Sequence, residues 1–198
     1  LRFTDEPTRS SVTAAVRALR NSGAARKAIS AVPALSNPPA ALYVLFGLHN
    51  QPESSIDVWA PFFSNQMWVI ETLSRSLPPQ VRLLVKIHKS DVSKYSREQL
   101  ERMRAFPGVD LVRPFADSRA FIDGAKVVIA IQGTMGLEAA LLGKPVIMLG
   151  DSPVKIFPSV SRIGEITGLP GLVRRKLAEL PPSRDSIVAA YAAYLSPF

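Results

Sequence analysis

Five short, mostly apolar runs, separated by segments with helical periodicity, constrain the fold of this chain more than any other feature. Continuous apolar runs of this length are typical of strands that are buried on both faces of a sheet. Strands that alternate with helices are parallel and are joined by right-handed crossovers. The pattern therefore predicts the α/β class, with a Rossmann-like parallel sheet of about five strands and helices on both faces. The runs cover residues 41–48, 81–88, 109–114, 126–132 and 144–150.

The proline-rich stretch VPALSNPPA at residues 32–40 separates this alternating region from a basic segment before it. Residues 8–31 have helical periodicity, with apolar residues on one side and arginines on the other. A length of 198 residues favours one domain with at most an appended arm. We therefore predict a basic helical arm and linker over residues 1–40 and a sheet domain over residues 41–198, with further helices in its tail.

Composition excludes several classes of function. The chain has no cysteine, which excludes disulfides and thiolate catalysis. It has no apolar run of about 18 residues that would span a bilayer. The net charge of +8 favours anionic partners, although scattered arginines also fit an ordinary solvated surface. Because no basic stripe is interleaved with aromatic residues, we expect no nucleic-acid partner.

The turn Gln132-Gly133-Thr134 leads from the fourth predicted strand into a helix. Ligands of such sheets bind beyond the carboxyl ends of the strands. Gly133 allows a tight turn, Thr134 is a candidate helix cap, and Gly136 leaves the first helical turn unobstructed. The helix amides and dipole would then favour an anion. The stretch is neither a GxGxxG fingerprint nor a P-loop, and a plain capped helix is the alternative.

Glu138 follows about one helical turn after this glycine turn. A carboxylate would repel a phosphate, but it accepts hydrogen bonds well from two neighbouring hydroxyls. It therefore suits the diol of a ribose better than an anion. The alternative is a glutamate on a solvated helix surface.

The chain's two histidines both follow predicted strands at the expected ligand edge. His49 and Glu53 lie in the loop after the first strand, and Lys86 and His88 end the second. His88 could bind a phosphate or donate a proton, or it could simply cap a loop. The spacing of the two histidines and Glu53 does not support a metal site, so none is predicted. Lys144, which starts a strand at the opposite sheet edge, is predicted to be structural.

Three blocks of this sequence resemble one known family. YVLFGLHNQPES, LLVKIHKS and VIAIQGTMGLEAALLGKPVIMLG are similar, in this order, to blocks of the capsule polysaccharide biosynthesis family, which includes bacterial Kdo transferases of GT-B architecture. The resemblance covers residues 41–150, and its last block is the most specific. Lys89 stands where the family usually has a proline, and Gln132 stands where serine is common.

The resemblance implies a single half of a GT-B enzyme, the one that binds a CMP- or UDP-linked sugar donor, with no additional cofactor and no metal. Gln132, Gly133, Thr134 and Gly136 would form the phosphate turn, with Lys86 and His88 beside it. Glu138 would contact the ribose. The catalytic group stays unassigned, because it often comes from the other half; His49, Glu53 and His88 are the candidates.

The function expected from this resemblance is a glycosyltransferase that builds bacterial capsule or another surface polysaccharide. Its partners would be a nucleotide-sugar donor, a glycan or glycolipid acceptor and a missing N-terminal half. It would work in the cytoplasm or at the inner face of the membrane, through peripheral association. Two alternatives remain open. One is an enzyme similar to nucleotide-sugar 2-epimerases, with Glu53 and Asp117 as its carboxylates. The other is a non-catalytic binding or assembly module.

Overall fold

The computed structural model describes residues 29–91 and 94–196, and its centre is a six-stranded sheet in which every neighbouring pair is parallel. The predicted α/β class and Rossmann-like sheet are therefore confirmed. The strands are β1 (Tyr43–Gly47), β2 (Arg82–Lys86), β3 (Val109–Val112), β4 (Val127–Ala130), β5 (Val146–Met148) and β6 (Val160–Arg162).

The order of the strands in the sheet is β3-β2-β1-β4-β5-β6. The chain builds outward from β1 to β3 on one side and then crosses back to add β4, β5 and β6 on the other. β1 and β4 are therefore neighbours, and from them the chain continues to opposite sides of the sheet. Such a reversal leaves a crevice at the carboxyl ends of the strands, which is where sheets of this kind bind ligands.

Helices cover both faces of the sheet, because alternate strand residues point in opposite directions. Val44 and Phe46 of β1 belong to one buried cluster, and Tyr43 and Leu45 belong to the other. The helices are α1 (Ser54–Asp57), α2 (Gln66–Ser76), α3 (Arg97–Arg104), α4 (Ser118–Gly124), α5 (Thr134–Leu141), α6 (Leu169–Ala178) and α7 (Arg184–Leu195). Residues of α2, α3 and α6 pack in the first cluster, and residues of α4, α5 and α7 pack in the second.

Two helix starts have the local hydrogen bonds that their sequences indicate. The Ser96 hydroxyl accepts from the Gln99 amide at 3.2 Å, and the Gln99 side chain accepts from the Ser96 amide at 2.8 Å, so a capping box starts α3. Asp117 caps α4 by accepting from the Arg119 amide. Lys144 donates to the carbonyl groups of Asp123 and Ala125, which fits its predicted structural role.

The strand β6 was not predicted, because it consists of one valine followed by a serine and an arginine. All three residues are at least partly exposed at the edge of the sheet. An edge strand this short and polar has neither the apolar run nor the alternation on which the other predictions rest.

The predicted arm lies almost entirely outside the described residues, of which only 29–31 are helical. The proline-rich stretch after it packs along the sheet. Leu35 donates its amide to the Leu111 carbonyl at 2.8 Å and accepts from the Arg113 amide at 2.9 Å. The boundary at residue 40 stays a prediction. Within residues 29–91 and 94–196, each helix is too short or too polar to cross a bilayer.

Candidate functional site

A cavity of about 430 Å³ opens at the carboxyl ends of β1, β2 and β4, at the reversal of strand order. Three loops that are distant in sequence meet there, because parallel strands end at the same edge of the sheet. The structure thus brings together nearly all of the predicted site residues. Those that line the cavity are His49, Glu53, Lys86, His88, Gln132, Gly133, Thr134 and Glu138.

The turn before α5 is built on Gly133, which has a φ of 85° and a ψ of −174°. This region of backbone conformation is essentially restricted to glycine. Gly133 itself occupies the cap position, and in the described part of the chain no side chain caps the helix. The predicted cap, Thr134, is instead the first helical residue. The start of α5 therefore borders the cavity with no side-chain cap, and the helix dipole favours an anion at this position.

Gly136 was predicted with this turn, but the structure gives it a different surrounding. It is buried in α5 and is not one of the residues that line the cavity. A Cβ atom at this position would lie 2.7 Å from the Met148 sulfur. Close packing of α5 on β5 therefore accounts for this glycine.

His49 supports the turn from the neighbouring loop. Its Nε2 accepts from the Gln132 amide at 3.3 Å, and its Cε1 would lie 3.3 Å from a Cβ atom on Gly133. Burial, and to a lesser extent repulsion from His88, lowers the pKa of His49 to about 4. The imidazole is therefore neutral at pH 7. Because Nε2 is the acceptor, the proton is on Nδ1.

The neutral state of His49 predicts an acid-dependent stability. The pKa of His49 is about 4 in the folded chain and 6.5 when unperturbed, so between these values the unfolded chain binds more protons. The free energy of unfolding should be highest above pH 6.5 and fall by about 3 kcal/mol as the pH drops toward 4. Urea denaturation at pH 7 and pH 4.5 measures this loss.

His49→Gln should remove most of that acid-dependent loss, whereas the exposed His88→Gln should retain it. A His49→Gln chain that loses as much stability on acidification as the wild type would contradict the assignment of a half-buried, neutral His49.

Lys86 lies at the floor of the cavity and is 4% exposed. Its ammonium group donates to the carbonyl groups of Arg113 at 3.3 Å, Pro114 at 3.2 Å and Ala116 at 3.0 Å. Burial, and to a lesser extent repulsion from Lys89, lowers its pKa to about 8. All three donors are thus used to fasten the β3–α4 loop to the end of β2. Direct binding of a ligand by Lys86 stays a prediction. Its positive charge nevertheless lies at the wall of the cavity, where it favours an anion.

His88 and Glu138 lie exposed at the mouth of the cavity. His88 Nδ1 accepts from the Ser90 amide at 3.3 Å, which leaves Nε2 for a ligand. Among the described residues, no ion pair occupies the Glu138 carboxylate. Nor do the described residues contain a group of three or more metal-ligating side chains close enough to hold a metal ion.

Asp117 is not brought to the cavity with Glu53. It is exposed, its carboxylate caps α4, and the neighbouring Ser118 lines the cavity in its place. The pair of carboxylates considered for epimerase chemistry is therefore not assembled at this site.

A second, more apolar groove of about 1000 Å³ adjoins the cavity and shares Ser55, Gln132 and Gly133 with it. Its walls include Trp59, Ile156 and Tyr194. Trp59 is 74% exposed, which is unusual for a residue of this size and apolar character. The groove extends the site away from Glu138, on the far side of the glycine turn.

Sequence reasoning missed two residues that hold the loop between His49 and Glu53. These are Gln66, at the start of α2, and Asp57, at the end of α1. The available signal was weak: Gln66 is the last of three polar residues, 64–66, that precede the apolar Met67 and Trp68. Its buried position depends on a loop that lies 15 to 17 residues earlier in the chain.

The family comparison accounts for most of the chain. Residues 4–157 match the family model described as capsule polysaccharide biosynthesis protein. The chain belongs to the capsule polysaccharide biosynthesis family. The matched range contains every residue that lines the cavity, and the resemblance seen in the sequence is confirmed. No curated protein sequence matches this family member at a significant level.

Solved structures similar to this member of the capsule polysaccharide biosynthesis family share its fold. The β-Kdo 2,4 transferase of Thermosulfurimonas dismutans KpsC is 17% identical with a TM-score of 0.52, over 96% of this chain and 57% of that one. The β-Kdo 2,7 transferase of the same KpsC is 17% identical with a TM-score of 0.54, over 88% and 51%. The UDP complex of S. aureus MnaA is 15% identical with a TM-score of 0.50, over 78% and 46%. The chain thus spans about half the length of these structures.

Proposed function

We propose that this chain is the half of a glycosyltransferase that binds the nucleotide-sugar donor for synthesis of a capsule or related surface polysaccharide. The observation that carries the proposal is the uncapped start of α5 at Gly133, which faces a cavity that also contains Glu138. One end of this cavity suits an anion, and the other suits a neutral diol. A nucleotide presents both kinds of group.

In the proposed complex the donor phosphate lies against the amides of Gly133 and Thr134. His88 adds a donor at the mouth, and the ammonium group of Lys86 adds positive charge from the floor. Glu138, about one helical turn further along α5, accepts from the ribose hydroxyls. Because sugar transfer leaves negative charge on the departing phosphate, these fixed dipoles and charges stabilise the transition state more than the ground state.

The donor sugar would then lie on the side of the Gly133 turn that adjoins the second groove. An acceptor glycan or glycolipid could approach along Trp59 and Tyr194, because exposed aromatic rings suit sugar faces and lipid chains. The net charge of +8 supports an acidic acceptor or an anionic membrane surface. We place this activity in the cytoplasm or at the inner face of the membrane, with a second half that closes over the cavity.

The candidate catalytic groups are not equivalent in this proposal. His49 Nε2 is occupied by the Gln132 amide, so His49 supports the turn and does not serve as a base. Glu53 and His88 remain candidates at the mouth. An epimerase is the weaker proposal, since Asp117 is engaged as a helix cap outside the cavity.

Calorimetric titration with CMP, UDP and GDP tests the donor site. We expect one of these nucleotides to bind, and we expect Glu138→Ala and His88→Ala each to weaken its binding about 10-fold, because each removes a hydrogen bond to the ligand. Glu98→Ala, on the exposed first turn of α3, is the matched control and should bind as the wild type does. If no nucleotide binds, or if both site variants bind normally, the site assignment fails.

Turnover of the corresponding nucleotide sugar separates an enzyme from a binding module. Transfer to a glycan acceptor should be detected when a second half is supplied and should be lost in Glu138→Ala. A chain that binds the nucleotide but supports no transfer with any second half would instead be a non-catalytic module.

A further inference from the structure

We propose that Gln66 is a positioning residue of the donor site, which fixes the loop from His49 to Glu53 and, through His49, the Gln132–Gly133 turn. The part of this inference that concerns donor binding rests on the proposed function. The coupling between Gln66 and His49 concerns this chain alone and can be tested separately.

The side-chain amide of Gln66 pairs with the loop as a neighbouring strand would. Its Oε1 accepts from the His49 amide at 2.7 Å, and its Nε2 donates to the His49 carbonyl at 2.9 Å. The second Nε2 hydrogen goes to Gln51 Oε1 at 2.7 Å. Gln66 is 6% exposed, so these bonds form in a site that excludes most water. Buried polar groups of this kind define one conformation because each alternative leaves a donor or acceptor unpaired.

The same network continues outward to the cavity-lining carboxylate. Gln51 Nε2 donates to Asp57 Oδ1 at 2.8 Å, and the Glu53 amide donates to Asp57 Oδ2 at 2.8 Å. These two hydrogen bonds lower the pKa of Asp57, which keeps its carboxylate ionised. Residues 49, 51 and 53 thus all take part in one hydrogen-bond network that begins at Gln66.

In the opposite direction the network reaches the phosphate turn. The His49 backbone is held by Gln66, and the His49 Nε2 accepts from the Gln132 amide. Gln132 directly precedes Gly133, the residue on which the turn is built. A loosened His49 would therefore release the amide that sets the position of the turn. Two elements far apart in sequence, the start of α2 and the start of α5, are coupled through a single imidazole.

An amide is required at position 66, and a carboxylate of the same shape cannot replace it. In Gln66→Glu one carboxylate oxygen would still accept from the His49 amide, but the other would face the His49 carbonyl and Gln51 Oε1, and both N–H donors would be lost. Burial leaves little water to compensate. The loop should then move away and expose the His49 imidazole to solvent, while the fold of α2 remains supported by Val69, Ile70 and Leu73 in the core.

The experiment follows the two histidines by NMR in the wild type, Gln66→Glu and Asp57→Asn. The chain contains only two histidines, so the signal of the His49 imidazole can be assigned. In Gln66→Glu the midpoint for His49 should rise from about 4 toward its ordinary 6.5. Affinity for the nucleotide selected by calorimetry should fall about 10-fold, because the turn is no longer held in its binding conformation.

Glu71→Gln is the matched control, because it makes the reverse one-atom exchange on the exposed side of the same helix, where Glu71 pairs with Arg75. It should change neither the His49 midpoint nor the affinity. Asp57→Asn alters only the exposed outer end of the network and should shift the His49 midpoint in the same direction by less. This surface variant decides the question if Gln66→Glu does not fold.

If Gln66→Glu folds and its His49 midpoint is unchanged, the positioning role is overturned. If Gln66→Glu does not fold, an unchanged His49 midpoint in Asp57→Asn overturns it. A shifted midpoint with unchanged nucleotide affinity would overturn the claim that Gln66 acts on the donor site. Wild-type protein that binds no nucleotide would overturn the proposed function, and the His49 titration would still test the coupling.

Discussion

Replacement of Gly133 by alanine is expected to weaken nucleotide binding by about 100-fold. Gly133 has a φ of 85°, and its backbone conformation costs a residue with a Cβ atom about 1–3 kcal/mol. The added methyl group would also lie 3.3 Å from His49 Cε1, so it would press on the imidazole that holds the turn. The turn should therefore rearrange, and the amides of α5 would no longer converge on the phosphate.

Calorimetric titration of Gly133→Ala with the nucleotide that the wild type binds measures this loss. Gly164→Ala is a suitable control because in the described part of the chain no atom lies within 4 Å of the added carbon, apart from the neighbouring residues. Gly133→Ala protein that keeps its fold and its full affinity would remove the central support for an anion site at this turn. An equal loss in Gly164→Ala would show that the effect is not specific to the turn.

The fold was largely predictable because its information is local and repeated. Each of the first five strands is a short apolar run, and the helices between them carry their own start signals, such as Ser96 with Gln99. The residues 160–162 lack any such run, and their pairing with β5 depends on the sheet already being formed. A short edge strand is stabilised by its neighbour more than by its own sequence.

The position of the site in the fold was predictable from the sequence, but the contacts of its side chains were not. Parallel strands place the residues after β1, β2 and β4 at one edge, which was enough to bring His49, His88 and Gly133 together. The role of each side chain was not predictable, because it depends on hydrogen-bond partners that are distant in sequence. Lys86 is bound to carbonyl groups 27 to 30 residues away, and His49 accepts from an amide 83 residues away. Spacing within one loop contains no information about such contacts.

These long-range contacts divide the cavity residues into two groups. His49 and Lys86 are buried or half-buried, have lowered pKa values and are bonded to backbone groups. His88 and Glu138 are exposed at the mouth and keep atoms for a ligand. Because the first group fixes the shape that the second group uses, substitutions in the two groups should differ in kind. Changes at the mouth should alter affinity, and changes at the floor should also alter stability.

Lys86→Met is expected to lower the free energy of unfolding by about 3 kcal/mol, the largest stability effect expected of a single residue in this cavity. Methionine has a similar length, but it leaves the three carbonyl groups of residues 113, 114 and 116 without their donor. Urea denaturation at pH 7 measures the loss. Lys126→Met is the control, because Lys126 is an exposed lysine directly before β4, and its removal should change stability by less than about 0.5 kcal/mol.

The difference in free energy of unfolding between the wild type and Lys86→Met should depend on pH, which gives an independent check. The pKa of Lys86 is lowered by burial to about 8 from 10.5, so the unfolded chain binds more protons than the folded chain between these values. The contribution of Lys86 to wild-type stability should therefore rise as the pH increases from 8 toward 10.5, and this rise should be missing in Lys86→Met. A variant that is as stable as the wild type at pH 7 would show that the β3–α4 loop does not depend on this ammonium group. Lys86 would then be available to a ligand, as the sequence alone suggested.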